Sequence, residues 1–266
     1  MSSAQPLLFT VAFRRKMAEL TQEQRQEWLA SLGRRLRAGP PARPGSPLVQ
    51  ELREVARGCR LPLVDGIERQ LGPFDPRHLT ALLEVPRERF VRIEDIERSA
   101  EDVPLPLDDQ GLATISAPHA YALSYRLLAL ARGDLLVELG SGSGYGSALA
   151  AFIVEESGRV LSFEIDEDLA AWAARSLDGT PNVHVVRADA MASAPLWGAA
   201  KKVVATFAVN VLPAAWIDAL PEGGRLVAPV GPSDRDQKLV LAVRRHGRVV
   251  ESEHGAVRYV RNRSVR

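Results

Sequence analysis

The sequence predicts an α/β protein: a doubly wound, mostly parallel sheet covered by helices on both faces, with a helical extension at the N-terminus. Three observations predict it. From about residue 134, apolar strand-like runs at 135–139, 160–165, 183–187, 203–207, 225–230 and 238–243 alternate with helical stretches at 147–156, 167–177 and 213–220. Such alternation builds a parallel sheet with helices packed on it. The first run ends in "LLVELGSGSGYGSALA" (135–150), where glycines 140, 142 and 144 stand between strand and helix. This is a Rossmann-like arrangement, and ligands of such sheets bind beyond the carboxyl ends of the strands. Finally, 266 residues, 46% of them hydrophobic, suffice for one large domain plus an accessory element.

The elements before the sheet read differently. "TQEQRQEWLASLGRRLRAG" opens with a capping box, Thr21 and Gln24, and closes at Gly39, which predicts a helix with Trp28, Leu29, Leu32 and Leu36 on one face. The prolines and glycines of 39–47 mark a connection. A second amphipathic helix is expected around 48–58, and "DPRHLTALLEV" predicts a third, stopped near Pro86. After the alternating region, strand-like segments near 248–252 and 256–260 are expected to close one edge of the sheet, with an antiparallel strand. We therefore divide the chain into a helical extension (1–60), a middle segment (61–133) and a ligand-binding core (134–266).

Charge and composition narrow the function. The net charge of +1 argues against general electrostatic capture of nucleic acid or membrane. Residues 1–60 carry eleven Lys/Arg against five Asp/Glu, a bias that solvated helix faces commonly show. Cys59 is the only cysteine, so no internal disulfide forms, and a cytoplasmic location is expected. No apolar run approaches the roughly 20 residues of a membrane span. The start, "MSSAQPLLFTVAFRRK", has its positive charge after the apolar stretch, the wrong order for a secretory signal.

The glycine loop does not match a dinucleotide site, which requires G-x-G-x-x-G. Counting from Gly140, the third glycine would fall at Tyr145; counting from Gly142, at Ser147. The stretch is E-x-G-x-G-x-G and resembles the loop of class I S-adenosylmethionine methyltransferases. There Glu138 braces the loop, and Gly140, Ser141, Gly142, Gly144 and Tyr145 approach the amino acid end of the cofactor. Glu164 ends the second strand-like run, where a carboxylate can accept hydrogen bonds from both ribose hydroxyls of an adenosine. Asp189 ends the third, beside Ala190, where an acid can meet the adenine amino group. Either acid alone reads as a solvated strand end. Two at successive strand ends beside this loop favour a nucleoside site.

A more specific likeness lies upstream. "VPRERFVRIEDIERSAEDVPLPLDDQGLATISAPHAYAL" (85–123) contains V-P-R-x-x-F-V at Val85–Val91, P-L-P at Pro104–Pro106 and T-I-S-x-P at Thr114–Pro118. These elements, with "LPEGGRLVAPVG" further on, resemble the protein-L-isoaspartate O-methyltransferases over roughly 74–260. The resemblance implies S-adenosyl-L-methionine as cofactor, S-adenosyl-L-homocysteine as product and no metal. It implies that Ala113, Thr114, Ile115 and Ser116 cover the cofactor and line the acceptor pocket, with Ser116 as the active-site serine. The implied partner is a protein or peptide bearing an isoaspartyl carboxylate, methylated to start repair through a succinimide. A carboxylate is already a nucleophile at neutral pH, so neither a Ser/His/Asp triad nor a metal cluster is required. Ser116 can also be read as the N-cap of a helix over 117–131.

Departures from the family pattern fall at Lys201, Phe207, Val209, Ala188–Ala190 and Val260–Asn262. They leave two alternatives. The chain could methylate one Asp carboxylate in a dedicated peptide with the N-terminal helices as platform, or serve as a non-catalytic cofactor-binding module that recruits a partner. Of the histidines, His119 opens a helix, His184 alternates into a strand, and His78, His246 and His254 lack metal-ligand spacing.

Overall fold

The computed structural model describes residues 13–39 and 45–263; residues 1–12, and 40–44 of the expected 39–47 connection, lie outside them. Residues 13–19 are helical and lead into α1 (Gln22–Ala38), whose capping box is present as expected: Thr21 accepts from Gln24 N, and Gln24 reaches back to Thr21 N. Leu29 and Leu32 are fully buried, with Trp28 and Leu36 packed at the margin.

The second helix is longer than expected. α2 runs Pro47–Leu71, straight through Pro62, so the division drawn at residue 60 falls inside one helix. Proline removes the N–H that would bond the carbonyl four residues earlier. Here that carbonyl, on Gly58, accepts Arg25 Nη1 at 3.3 Å, and its neighbour on Cys59 accepts Gln22 Nε2 at 3.4 Å. Side chains of α1 thus satisfy the backbone that Pro62 frees, and the helix continues. α3 (Pro76–Glu84) starts at an Asp75 cap and ends before Pro86, as the sequence predicts.

The buried face of α2 carries Arg60, 2% exposed, whose Nη1 lies 2.5 Å from Glu88 Oε2 while Nε and Nη2 donate to Leu83 O. This ion pair ties the N-terminal helices to the V-P-R-x-x-F-V segment. A two-residue ladder follows, β1 (Leu105–Pro106) against β2 (Thr114–Ile115), then α4 (Pro118–Leu128).

The main sheet has seven strands: β3 (Leu135–Leu139), β4 (Arg159–Glu164), β5 (Val183–Arg187), β6 (Lys202–Ala205), β7 (Arg225–Val230), β8 (Gln237–Arg245) and β9 (Arg248–Val257), in spatial order β5-β4-β3-β6-β7-β8-β9. β3 to β7 are parallel and β8 and β9 antiparallel. Helices α5 (Tyr145–Val154), α6 (Glu167–Ser176) and α7 (Ala214–Ala219) connect the parallel strands. Of the two segments expected near 248–252 and 256–260, the first and the start of the second form one strand, β9, in a hairpin with β8, while residues 258–260 lie beyond it. Gly255, at φ +97, reads as a break in the sequence but is absorbed within the strand.

The alternation along each strand divides the core. Leu136, Val160, Val204 and Val227 face α4, α5 and the N-terminal helices; Val137, Phe163, Val203 and Leu226 face a layer holding Trp197 and Trp216. Among the described residues no helix is long and apolar enough to cross a membrane.

Removing one partner of a buried ion pair leaves an uncompensated charge that costs about 3–5 kcal/mol. Arg60→Met is therefore expected to lower unfolding free energy by that amount, and Arg60→Met/Glu88→Leu to recover most of it. Denaturant titrations of both variants check this; equal losses would show that packing, and not charge, sets the cost.

Candidate active site

The glycine loop leaves β3 with Gly140, Gly142 and Gly144 all at positive φ. At two of them the space is also closed by protein. A Cβ on Gly140 would run into Thr206 Oγ1, and one on Gly144 would lie 2.9 Å from Leu177 Cδ1. Those glycines seat the loop against the ends of β6 and α6 respectively, with residues 141–143 between them on the wall of the cleft.

Beneath the loop Glu138 is 1% exposed, and its Oε2 accepts hydrogen bonds from Ser147 Oγ and from Ser162 Oγ (2.8 Å). Ser162 Oγ also pairs with Ser141 Oγ at 2.6 Å. A buried carboxyl therefore holds α5, β4 and the loop together. Gly146 must lack a side chain, since a Cβ there would overlap the carboxyl of Glu138. Burial pushes this carboxyl up to about 7, against the pull of its serine partners.

Above the carboxyl ends of β3 to β6 lies an open cleft. Its wall includes Ala113, Thr114, Ile115, Gly140, Ser141, Gly142, Glu164, Asp189 and Ala190, nine of the sequence-derived candidates. Glu164 is 7% exposed; its Oε2 accepts from Gly142 N at 2.8 Å and its Oε1 from Asp166 N at 3.1 Å. Burial raises its pKa while those amides pull it down. Asp189 caps a short helical turn through Met191 N, and Trp216 Nε1 fixes the Ala190 carbonyl at 3.2 Å.

Four candidates lie off that wall. Glu138 and Gly144 support the loop from behind, as described. Tyr145 is 1% exposed and packs edge-on against Tyr121, with ring centroids 5.4 Å apart, so its side chain belongs to the core. Ser116 lines an adjoining narrow recess, with Tyr121, Ser124, Glu138, Thr206 and Tyr259 among its walls; Tyr121 and Thr206 are shared with the cleft.

Ser116 is held by its backbone. Its N–H donates to Tyr121 Oη at 3.3 Å, and its carbonyl accepts Arg87 Nη2 at 3.2 Å. Arg87 is fully buried, and its guanidinium also bonds the carbonyls of Ser99, Glu101 and Val103. A buried cation thus gathers four loop carbonyls and fixes the T-I-S turn. The expected N-cap role of Ser116 is not observed: the cap of α4 is Ala117, with no side-chain bond. Among the described residues, nothing in the chain hydrogen-bonds the Ser116 hydroxyl.

Several wall residues carried no sequence signal for a site: Leu107, Thr206, Leu169 and Arg263; Val260–Asn262, marked only as a departure, also lines the cleft. Phe207 was marked only as a departure; it lines the cleft and packs edge-on to Trp216. Lys201, expected near the acceptor, stands at the amino end of β6, away from the cleft. His119 pairs with Asp102 (Nδ1–Oδ1 3.0 Å) and His78 Nε2 with Leu130 O (2.9 Å). Among the described residues no cluster of His, Cys, Asp and Glu is arranged to hold a metal.

A parallel sheet with its glycine loop after the central strand and acids at the next two strand ends defines the class I methyltransferase fold. The donor set fits the cofactor of that class: two strand-end carboxylates suit the hydroxyl and amino donors of an adenosine, and Ser143, whose buried hydroxyl has no partner among the described residues, lines the loop side of the cleft. Comparison with known proteins agrees. The model of the protein-L-isoaspartate(D-aspartate) O-methyltransferase family matches residues 65–265. The protein-L-isoaspartate O-methyltransferase of Korarchaeum cryptofilum is 38% identical over 188 residues, 66% of this chain and 84% of that protein. That of Methanoculleus marisnigri is 38% identical over 208 residues, 76% of this chain and 91% of that protein. A solved protein-L-isoaspartate O-methyltransferase superposes with a TM-score of 0.69 at 27% identity, covering 76% of this chain and 65% of that one. A Plasmodium falciparum structure described as a complex with S-adenosyl-L-homocysteine shares the fold at a TM-score of 0.67 and 21% identity, covering 77% of this chain and 98% of that one. The chain belongs to the protein-L-isoaspartate(D-aspartate) O-methyltransferase family.

The buried carboxyl beneath the loop gives a pH signature. Glu138 is raised on folding, from 4.5 to about 7, so the native chain holds a proton that the unfolded chain has lost. That contribution is fully present below about pH 4.5 and disappears as pH rises through about 7, a change of about 3 kcal/mol. Denaturant titrations from pH 4.5 to 8 should show wild type losing that stability relative to Glu138→Gln; parallel curves would contradict the assignment.

Proposed function

We propose that the chain transfers a methyl group from S-adenosyl-L-methionine to the free carboxylate of L-isoaspartyl residues in proteins or peptides. The observation that carries this reading is the Ser116 hydroxyl, without a partner among the described residues, fixed by Arg87 and Tyr121 beside the cleft. When bound, the cofactor supplies a sulfonium-borne methyl that a carboxylate oxygen displaces in line, the C–S electron pair leaving on sulfur. Glu164 takes the ribose hydroxyls, Asp189 the adenine end, and residues 140–142 the amino acid end. Ala113, Thr114 and Ile115 cover the cleft from the other side.

Ser116 then serves as a donor to the acceptor carboxylate, orienting one oxygen toward the methyl. It has no proton to abstract, because the acceptor is ionised at neutral pH. The chain's contribution is alignment and exclusion of water. The backbone amide nitrogen that follows then attacks the methyl ester and expels methanol to form a succinimide, which water opens in part to the normal aspartyl linkage. In this arrangement residues 134–263 hold the cofactor, the segment after α2 builds the acceptor side, and α1 with the first half of α2 buttresses it. The setting is the cytoplasm.

Labelled cofactor should methylate an L-isoaspartyl peptide and leave the matched aspartyl peptide unlabelled; equal labelling of both, or none, contradicts the reading. Ser116→Ala should lower kcat on the order of 100-fold, the effect of misaligned reactants, with S-adenosylhomocysteine affinity changed less than about threefold. Glu164→Gln should show the reverse emphasis. Removing a charged hydrogen-bond acceptor costs about 1.5–3 kcal/mol, read by calorimetry as about 10- to 100-fold weaker binding of the product nucleoside. If both variants shifted kcat and affinity equally, the division of roles would be wrong.

A further inference from the structure

The strand order gives the cleft a direction. Asp189 and Glu164 end β5 and β4, and the glycine loop follows β3. A nucleoside held by those acids directs its reacting end past the loop, toward β6 and β7. The C-terminal segment lies there. Ala208 N donates to Val260 O at 2.8 Å and Asn262 N to Ala208 O at 3.1 Å, which lays residues 260–262 across the exit of β6.

Two arginines of this segment line the cleft, and they are partnered differently. Arg263 is clasped by two carboxylates, Asp166 and Asp108, each at 2.9 Å. Arg261 donates Nη1 to Gly231 O at 3.1 Å and Nη2 to Asn210 Oδ1. A guanidinium has five N–H donors. Those two bonds are the only ones its side chain makes among the described residues, and no carboxylate there lies within ion-pair distance. Its anchors follow β6 and β7, which places its uncompensated charge on the acceptor side of the reacting end. Val211, next in the chain after its partner Asn210, is 72% exposed.

We infer that Arg261 is a specificity-determining residue that selects acceptors carrying a second carboxylate, an Asp or Glu side chain within two residues of the isoaspartyl residue. A guanidinium anchored along one edge presents its remaining N–H groups to a carboxylate in bidentate geometry, and a basic flanking residue meets like charge there. The inference rests on the proposed isoaspartyl activity and adds the identity of the flanking group.

The test uses the full chain and L-isoaspartyl peptides of one length, with Glu, Gln or Lys at each of the two positions on either side. At one or more positions kcat/KM should favour Glu over Lys on the order of tenfold, and the ratio should shrink as salt rises. In Arg261→Gln the ratio should fall to near one, and Arg261→Lys should retain part of it. A ratio taken within one preparation does not depend on the folded fraction. Wild type that uses all three alike, or Arg261→Gln with an unchanged ratio, overturns the inference. Methylation of the Gln peptides without charge preference leaves the isoaspartyl activity standing and removes only this inference; no labelling of any peptide removes both.

Discussion

A carboxyl group buried under the glycine loop organises the molecule. Glu138 joins α5 through Ser147, β4 through Ser162 and, through that serine, Ser141 of the loop itself. A buried carboxyl is tolerated only when its hydrogen-bonding capacity is used, so the loop, strand and helix are held in one arrangement. The same geometry forbids a side chain at residue 146 and turns residues 141–143 toward the cleft. Loop shape, cleft floor and the orientation of Glu164, whose oxygen accepts Gly142 N, follow from it.

A second buried charge organises the opposite wall. Arg87 has no carboxylate within ion-pair distance among the described residues and draws together four carbonyls from Ser99 to Ser116. Desolvation disfavours its charge, and that cost is offset only if all four carbonyls stay in place. The V-P-R element is thus the structural reason the T-I-S turn can present a hydroxyl with no partner among the described residues. Next to it, Arg60 and Glu88 extend the network into α2. The N-terminal helices are therefore continuous with the acceptor side, and the first half of α2 cannot be separated from it without breaking a buried ion pair.

Much of this was legible in the sequence because it rests on local pattern. The parallel strands, the capping box at Thr21 and the strand-end acids Glu164 and Asp189 are all written in short-range periodicity and turn chemistry. What could not be read depends on partners distant in sequence. The helix expected around 48–58 runs on to Leu71 through Pro62, because Arg25 and Gln22 of a neighbouring helix bond the carbonyls there. Gly255 predicts a break in a strand whose pairing with β8 carries it through. Residues 260–263 reach the cleft by a bridge between Ala208 and Arg261, a long-range contact that the departure at Val260–Asn262 does not reveal. Tyr145, adjacent to the glycines, reads as a cofactor contact, yet its ring packs inward against Tyr121 and Phe90.

The central claim is the placement and direction of a nucleoside in the cleft. A crystal structure of the chain with S-adenosyl-L-homocysteine tests it most directly. The account predicts both ribose hydroxyls on the Glu164 carboxylate, the adenine toward Asp189, and the sulfur over β6 on the side of Ser116. A nucleoside found outside the cleft, or reversed with its adenine over β6, would contradict it.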